Sequence, residues 1–268
     1  MLQYELFYTH APRHAGGMTD GFGSVRRALE ILRVLGERPL RVQAVADTIG
    51  REKSQISRTL KLLAEAGFVE RDPATLEYRP GWQLFALARS AGDTRLITEA
   101  PAVLRHLVRE LGEPAYLTVL QEDAALTVAT EHPIRSLMAR DWIGRTAPLT
   151  CTAAGRALLS GRPDAEITAL TGPPFPGTPR APHDHADLLT RLHTERTQGH
   201  VAVLEEWEPG LVGVAAPVRD FTDQVIAAVN VSAPIFRLPA EALPTVTTAV
   251  REAAAHLSTT LGGGDAAG

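Results

Sequence analysis

The 268-residue sequence contains one cysteine, Cys151. That excludes an internal disulfide framework and any multi-cysteine zinc site. No apolar run approaches the roughly 20 residues that a membrane-spanning helix needs. Residues Met1 to Gly17 lack the basic-then-apolar order of a secretory signal. A Gly-rich phosphate loop, a nucleophile elbow and a His-Glu-x-x-His pair are also missing, which removes the usual sequence grounds for assigning an enzyme or a cofactor. Lysine is nearly absent, limited to Lys53 and Lys61. These absences lead us to expect a cytoplasmic protein with no cofactor, no metal and no membrane partner.

What is present is enough apolar sequence, 44%, for two modest cores. The net charge of −4 is unevenly spread. Ser24 to Trp82 carries 11 Lys+Arg against 8 Asp+Glu, a local +3, and the remainder carries −7. A basic region on an acidic body can meet a polyanion locally while the body stays in solution.

Residues 1–23 read as an arm, because Gly16, Gly17, Gly21 and Gly23 break any periodicity. Met18 offers a later start. Alternatively, Tyr4, Leu6, Phe7 and Tyr8 dock on a neighbouring subunit. Ser24 is a good N-cap for a first helix through Val25, Ala28, Leu29, Leu32 and Leu35, ended by Gly36 and Pro39. A second helix carries Val42, Val45, Ala46 and Ile49 up to Gly50. A third runs from about Glu52 to Ala66, with Gly67 suited to its C-terminus. Two β-prone runs, Phe68–Arg71 and Leu76–Arg79, flank an Asp72-Pro73 turn. Three helices and a hairpin in about sixty residues form a winged helix-turn-helix pattern.

The third helix has two distinct faces. Ile56, Thr59, Leu60 and Leu63 fall on one side, and Arg51, Ser54, Ser57, Arg58 and Lys61 on the other. The first side suits packing, and the second offers the guanidinium, ammonium and hydroxyl groups that contact phosphates and base edges. Lys53 and Gln55 flank that face near the end where recognition helices meet bases. With Arg26 on the first helix and Arg71 and Arg79 on the wing, these residues form the candidate DNA-contacting set. A solvated face of a small helical domain would show similar residues, but the preceding turn and following hairpin favour DNA.

Further on, Trp82 to Ala91 reads as a linker helix. A longer helix follows, with Ile97, Leu104, Leu107, Val108 and Leu111 on one face. Strands are expected over 115–120, 125–130, 136–139, 200–204, 211–218 and 225–231. Helices are expected over 152–160, 184–198 and 240–261, and the Gly172–Gly177 stretch must be a loop. Separated strands among helices indicate an α+β class.

The segments "SVRRALEILRVL", "VQAVADTIGREKSQISRTLKLLAEAGFVERD" and "YRPGWQLFALA" resemble the N-terminal half of the IclR family of transcriptional regulators. The blocks "APLTCTAAGRALLSG" (147–161) and "EEWEPGLVGVAAPVRDFTDQVIAAVNVSAP" (205–234) resemble that family's effector domain. The resemblance implies a winged helix-turn-helix over 24–82, a linker helix over 83–94, a GAF-like α/β effector-binding domain over 95–262 and a tail over 263–268. It implies double-stranded operator DNA and a small-molecule effector as partners, and a homodimer of a kind that often pairs into a dimer of dimers; a repressor is expected ahead of an activator, though no residue decides between them. Family positions that hold small acids fall on Ala153, Ala154, Val203, Gly213, Asn230 and Ser232. Val203 stands where the family pattern has an aspartate, and Gly213 where it has a cysteine. A roomier, less polar pocket is therefore expected, for an aromatic or carboxylic metabolite. Met138, Trp142, Leu149 and Trp207 are candidate walls, unless they are simply core or dimer contacts. Backbone N–H groups at Ala153 and Ala154 would suit an anion.

Two other chemistries can be read from the residues. Cys151 has no resolving thiol to make a redox switch, so a buried small residue is expected. His183, His185 and Asp187 resemble the start of a metallohydrolase signature, and His193 follows. The next histidine of that signature is missing, since position 188 is leucine. Pro182 and Asp184 suit a helix N-terminus instead, with Leu188, Leu189 and Leu192 as its buried face.

Overall fold

The computed structural model describes residues 23–88, 94–133 and 142–262. The arm over 1–22, linker residues 89–93, the strand expected over 136–139 and the tail over 263–268 lie outside the described residues. The chain divides between residues 92 and 93 into two compact units.

The first unit comprises α1 (Gly23–Glu37), α2 (Val42–Ile49), α3 (Lys53–Glu65), β1 (Val69–Arg71), β2 (Tyr78–Pro80) and α4 (Trp82–Ala88). Its core joins Ile31 and Leu35 of α1, Val45 and Ala46 of α2, Ile56 and Leu60 of α3, and Val69 and Tyr78 of the hairpin. α1 and α3 thus contribute apolar residues four apart to a common centre, and α2 contributes Val45 and Ala46 flanked by half-buried Val42 and Ile49. Burial supplies most of the stability of such short helices. Gly50 closes α2 at φ +69°, the left-handed conformation that glycine adopts without a Cβ clash, and turns the chain into α3. Leu40 exchanges backbone hydrogen bonds with Tyr78, which ties the chain before α2 to the hairpin.

Two expectations shift here. α1 includes Gly23 and Ser24, so Ser24 lies inside the first turn rather than capping it. The second wing strand begins only at Tyr78. The Asp72 carboxylate accepts from the N–H groups of Ala74 and Thr75, and this turn holds Leu76 at φ +62° and outside the strand.

The second unit is a six-stranded antiparallel sheet with helices on both faces. Its elements are α5 (Thr94–Leu111), β3 (Ala115–Gln121), β4 (Ala124–Glu131), β5 (Thr146–Pro148), α6 (Ala153–Leu159), α7 (Asp164–Leu170), α8 (His185–Gln198), β6 (Val201–Leu204), β7 (Leu211–Arg219), β8 (Val225–Pro234) and α9 (Leu243–Thr260). Strand order is β5-β4-β3-β8-β7-β6, so the last strand pairs with the first at the centre. Alternation sorts the side chains. Val212, Val214, Ala216 and Val218 of β7 and Ala227, Val229 and Val231 of β8 pack in one core with α5 and α9. Val203, Ala215 and Ala228 join the other core, with α6, α7 and α8.

On α5 the buried face is Leu96, Ala100, Val103, Leu104, Leu107 and Val108, while Ile97 is 41% exposed. The expected stripe was therefore rotated at its N-terminal end, where Pro101 and two alanines gave little periodic signal. The strand β5 and helix α7 were not expected. Within α7 only Ile167 is buried, and one residue leaves no period to read.

Candidate nucleic-acid interface and effector site

Ile56 and Leu60 anchor α3 with no exposed surface. The opposite side of the helix is open: Lys53, Ser54, Ser57, Arg58 and Lys61 are exposed and Gln55 is half-buried. Arg51 is also exposed, but in the turn before α3 rather than on it, and its N–H donates to the Ala46 carbonyl at 3.1 Å. Among the described residues neither Arg51, Lys53 nor Arg58 is paired with a carboxylate, whereas Lys61 lies 3.9 Å from Glu65. Arg58 donates weakly to its own helix, at 3.3 Å from the Ser54 carbonyl. An open hollow of about 570 Å³ beside the α2–α3 turn is lined by Asp47, Arg51, Glu52 and Gln55 among others. The wing cations are partly committed. Arg79 meets Glu70 across the hairpin at 3.0 Å, and the Arg71 guanidinium lies 5.6 Å from the centre of the Tyr78 ring. Arg26 is exposed on α1.

In the second unit, four of the six family-mapped positions converge. β6, β7 and β8 align Val203, Gly213 and Ser232 side by side across the sheet. A Cβ placed on Gly213 would lie 3.2 Å from Val203 Cγ2, 3.3 Å from Ala153 Cβ and 3.5 Å from Ser232 Oγ. The space expected from a glycine at 213 is thus already filled by Val203 and by Ala153 from α6. Leu149, Ala153 and Val203 are no more than 5% exposed, so this part of the site is packed rather than roomy. Asn230 lies one rung along, opposite Ala215. Its Oδ1 accepts from the Thr118 hydroxyl at 3.0 Å, a buried partner on β3 that the sequence reading missed. Ala154 is buried in the first turn of α6. Thr152 caps that helix, accepting from the Gly155 N–H and donating to the Pro148 carbonyl.

Trp142 and Trp207 form an edge-on aromatic pair with centroids 5.7 Å apart, both half-buried. Met138 lies outside the described residues.

A buried charge cluster was also missed. Arg156, 1% exposed in a helix of buried residues, forks onto Glu206 at 2.6 and 3.1 Å and reaches Glu195 at 2.8 Å. Arg191 adds a 3.2 Å contact to Glu206 and a bidentate pair with Asp187. Burial pushes the Glu195 carboxyl up to about 7, against the opposing pull of Arg156. The available signal was one arginine inside "AAGRALL".

The metal reading fails on geometry. The His185 ring turns to the Thr171 carbonyl and packs edge-on against Phe175, while His183 pairs with Asp187, itself held by Arg191. His193 instead meets Asp164 at 3.0 Å. Among the described residues no three His, Cys, Asp or Glu side chains are grouped to hold a metal ion. Cys151 is buried, and desolvation pushes its thiol up to about 12, away from the reactive thiolate. No described helix is long and apolar enough to cross a membrane.

Comparison with known proteins gives the same two parts in the same order. Residues 24–73 match the IclR helix-turn-helix domain, and residues 88–259 match the bacterial transcriptional regulator IclR C-terminal domain. The chain is 35% identical over 254 residues to the glycerol operon regulatory protein of Streptomyces griseus, covering 92% of this chain and 99% of that one. It is 31% identical over 247 residues to the transcriptional regulator KdgR of Escherichia coli, covering 91% and 94%. Among solved structures, an IclR homologue from Microbacterium hydrocarbonoxydans complexed with 4-hydroxybenzoate superposes with a TM-score of 0.77 at 21% identity, covering 89% of this chain and 98% of that one. With both family domains matched in order and relatives above 30% identity along nearly the whole chain, this protein belongs to the IclR family of bacterial transcriptional regulators.

Proposed function

We propose that this protein is a homodimeric, effector-responsive repressor in the cytoplasm, without catalytic activity, that inserts α3 into the major groove of an operator. The proposed parts are the DNA-binding domain over 24–82, the linker over 83–94 and the effector domain over 95–262. The observation that carries the reading is the exposed basic face of α3, where Lys53 and Arg58 have no carboxylate partner among the described residues, opposite its fully buried Ile56 and Leu60. Arg51, Lys53, Ser54, Gln55, Ser57, Arg58 and Lys61 make the principal contacts, with Arg26, Arg71 and Arg79 at the flanking phosphates. Val25 and Leu29 of α1 and Trp82 and Phe85 of α4 are each more than half exposed, and a second copy would cover such apolar surface. Pairs of such dimers would give the tetramer. Operator occupancy alone blocks transcription, which is why repression is the simplest output.

The effector lies beside the packed Val203–Gly213–Ser232 row, on the side of half-buried Ser232, with Asn230 and Ser232 as polar contacts. Because Thr118 occupies the Asn230 carbonyl oxygen, the Asn230 amide N–H groups are left to donate to a ligand oxygen. Leu149, Ala153, Ala154, Trp142 and Trp207 complete the walls. That chemistry suits an apolar or aromatic ring with an acidic or carbonyl oxygen. Effector binding shifts a population between arrangements with different half-site spacing.

The test is anisotropy of a labelled DNA fragment from upstream of the protein's own gene. Specific binding with steep salt dependence is expected, weakened by an effector found by thermal shift among aromatic and carboxylic acids, starting with 4-hydroxybenzoate. Equal affinity for random DNA at all salt concentrations would overturn the reading.

A further inference from the structure

The turn between β6 and β7 carries Trp207 and is pinned from several sides. Glu205 sits at φ +57°, a left-handed conformation unfavourable for a residue with a Cβ. Its N–H donates to the Leu211 carbonyl at 2.7 Å. Thr178 holds the same turn, donating through its hydroxyl to the Glu205 carbonyl at 2.6 Å and through its N–H to the Glu206 carbonyl at 2.7 Å. Glu206 then directs its carboxylate into the interior, where Arg156 and Arg191 supply three contacts of 2.6 to 3.2 Å. Arg156 stands one helical turn after Ala153, the residue that closes on Gly213. The carboxylate–guanidinium fork is therefore a direct link between the helix wall of the effector site and the turn bearing its aromatic wall.

We infer that Arg156 and Glu206 are positioning residues that set Trp207 against Trp142 and hold α6 at the sheet, so that they tune effector affinity without touching the effector. This rests on the proposed effector site, but its first readout does not. A buried ion pair adds little net stability compared with apolar packing, because desolvating both charges offsets their attraction. Its bidentate geometry, in contrast, fixes distance and orientation. Glu206→Gln keeps the shape and removes the charge. Arg156→Lys keeps the charge and removes the fork.

Both variants are made in a Trp82→Phe background, so that fluorescence reports on Trp142 and Trp207 alone. Leu107→Ala, on the far face of the sheet, serves as a control for general destabilisation. For Glu206→Gln under native conditions the expected result is red-shifted emission and greater acrylamide quenching. Arg156→Lys should change in the same direction, and Leu107→Ala should match the parent while unfolding more easily. Fluorescence unchanged in whichever of the two variants folds, or changed equally by Leu107→Ala, overturns the inference. Titration with 4-hydroxybenzoate and the other acids adds a separate outcome. Affinity falling about tenfold in Glu206→Gln supports positioning of the site. A parent that binds none of the acids while its fluorescence still responds to the fork would count against the effector reading, not against the positioning role.

Discussion

Arg58 and Arg156 are the same side chain in opposite surroundings. Arg58 lies exposed on α3, without a carboxylate partner among the described residues, while Arg156 is 1% exposed and engaged by Glu206 and Glu195. The first unit keeps the cations of α3 outward, where an external polyanion can neutralise them at small desolvation cost. The second unit commits an arginine to its own interior, where it orders elements around a mostly apolar site. The charge of Arg58 is available for binding, and that of Arg156 is used for architecture. Truncating each arginine should therefore have different consequences.

The largest effect is expected for Arg156→Ala. Removing the guanidinium leaves Glu206 with only Arg191 and leaves Glu195 buried with no ion-pair partner in contact, only the weaker pull of Arg191, a type of loss that costs about 3–5 kcal/mol. Urea unfolding of the Trp82→Phe background, followed through Trp142 and Trp207, should show it. A loss under about 1 kcal/mol would mean that water reaches the cluster and that the two arginines differ less than their surroundings suggest.

Arg58→Ala should leave folding within about 0.5 kcal/mol of the parent, as exposed positions usually do. Its cost should appear on DNA instead. A base contact is worth about 1–3 kcal/mol, whereas a phosphate contact lowers the salt slope by about 1. Anisotropy at several salt concentrations separates these outcomes. Unchanged binding would remove Arg58 from the interface.

Much of the first unit was legible because its signals are local. Apolar spacing, Gly50 at the turn and a helix with two chemically different faces all lie within short windows. The effector site was less legible. Val203, Gly213 and Ser232 are neighbours only through strand pairing, and the filling of the space at Gly213 depends on Ala153 arriving from a helix some sixty residues earlier. Thr118 meets Asn230 across 112 residues of sequence, a contact that no short pattern reveals. Arg156 was visible as one charge among alanines and leucines, but its partners come from α8 and the β6–β7 turn.

Gly213→Ala tests that packing directly. The added methyl must displace Val203 or Ala153 by a few tenths of an ångström, and overpacking of this kind costs about 1–3 kcal/mol. Thermal unfolding should fall while operator affinity at low temperature stays close to the parent value, since α3 belongs to the other unit. A stabilised variant would mean that the row is looser than its geometry indicates.

The smallest effect concerns Glu195, and it appears as a slope rather than a loss. Burial pushes its carboxyl up to about 7 in the folded protein from an ordinary value of 4.5. Between those values the folded state holds a proton that the unfolded chain has released. Its contribution to stability is complete below about 4.5 and is lost as pH rises through about 7. Asp187 and Asp164, lowered by hydrogen bonds from Arg191 and Arg196, act in the opposite sense, and their contributions are lost only in more acidic solution. Glu195→Gln should therefore flatten the decline between about pH 5 and 8 and make the protein relatively more stable at the alkaline end. Urea unfolding across that range compares the two proteins. Parallel curves would show that Glu195 remains ionised throughout. The attraction of Arg156 would then outweigh desolvation, and the interior arginine would stabilise a full charge much as its exposed counterparts are proposed to do on DNA.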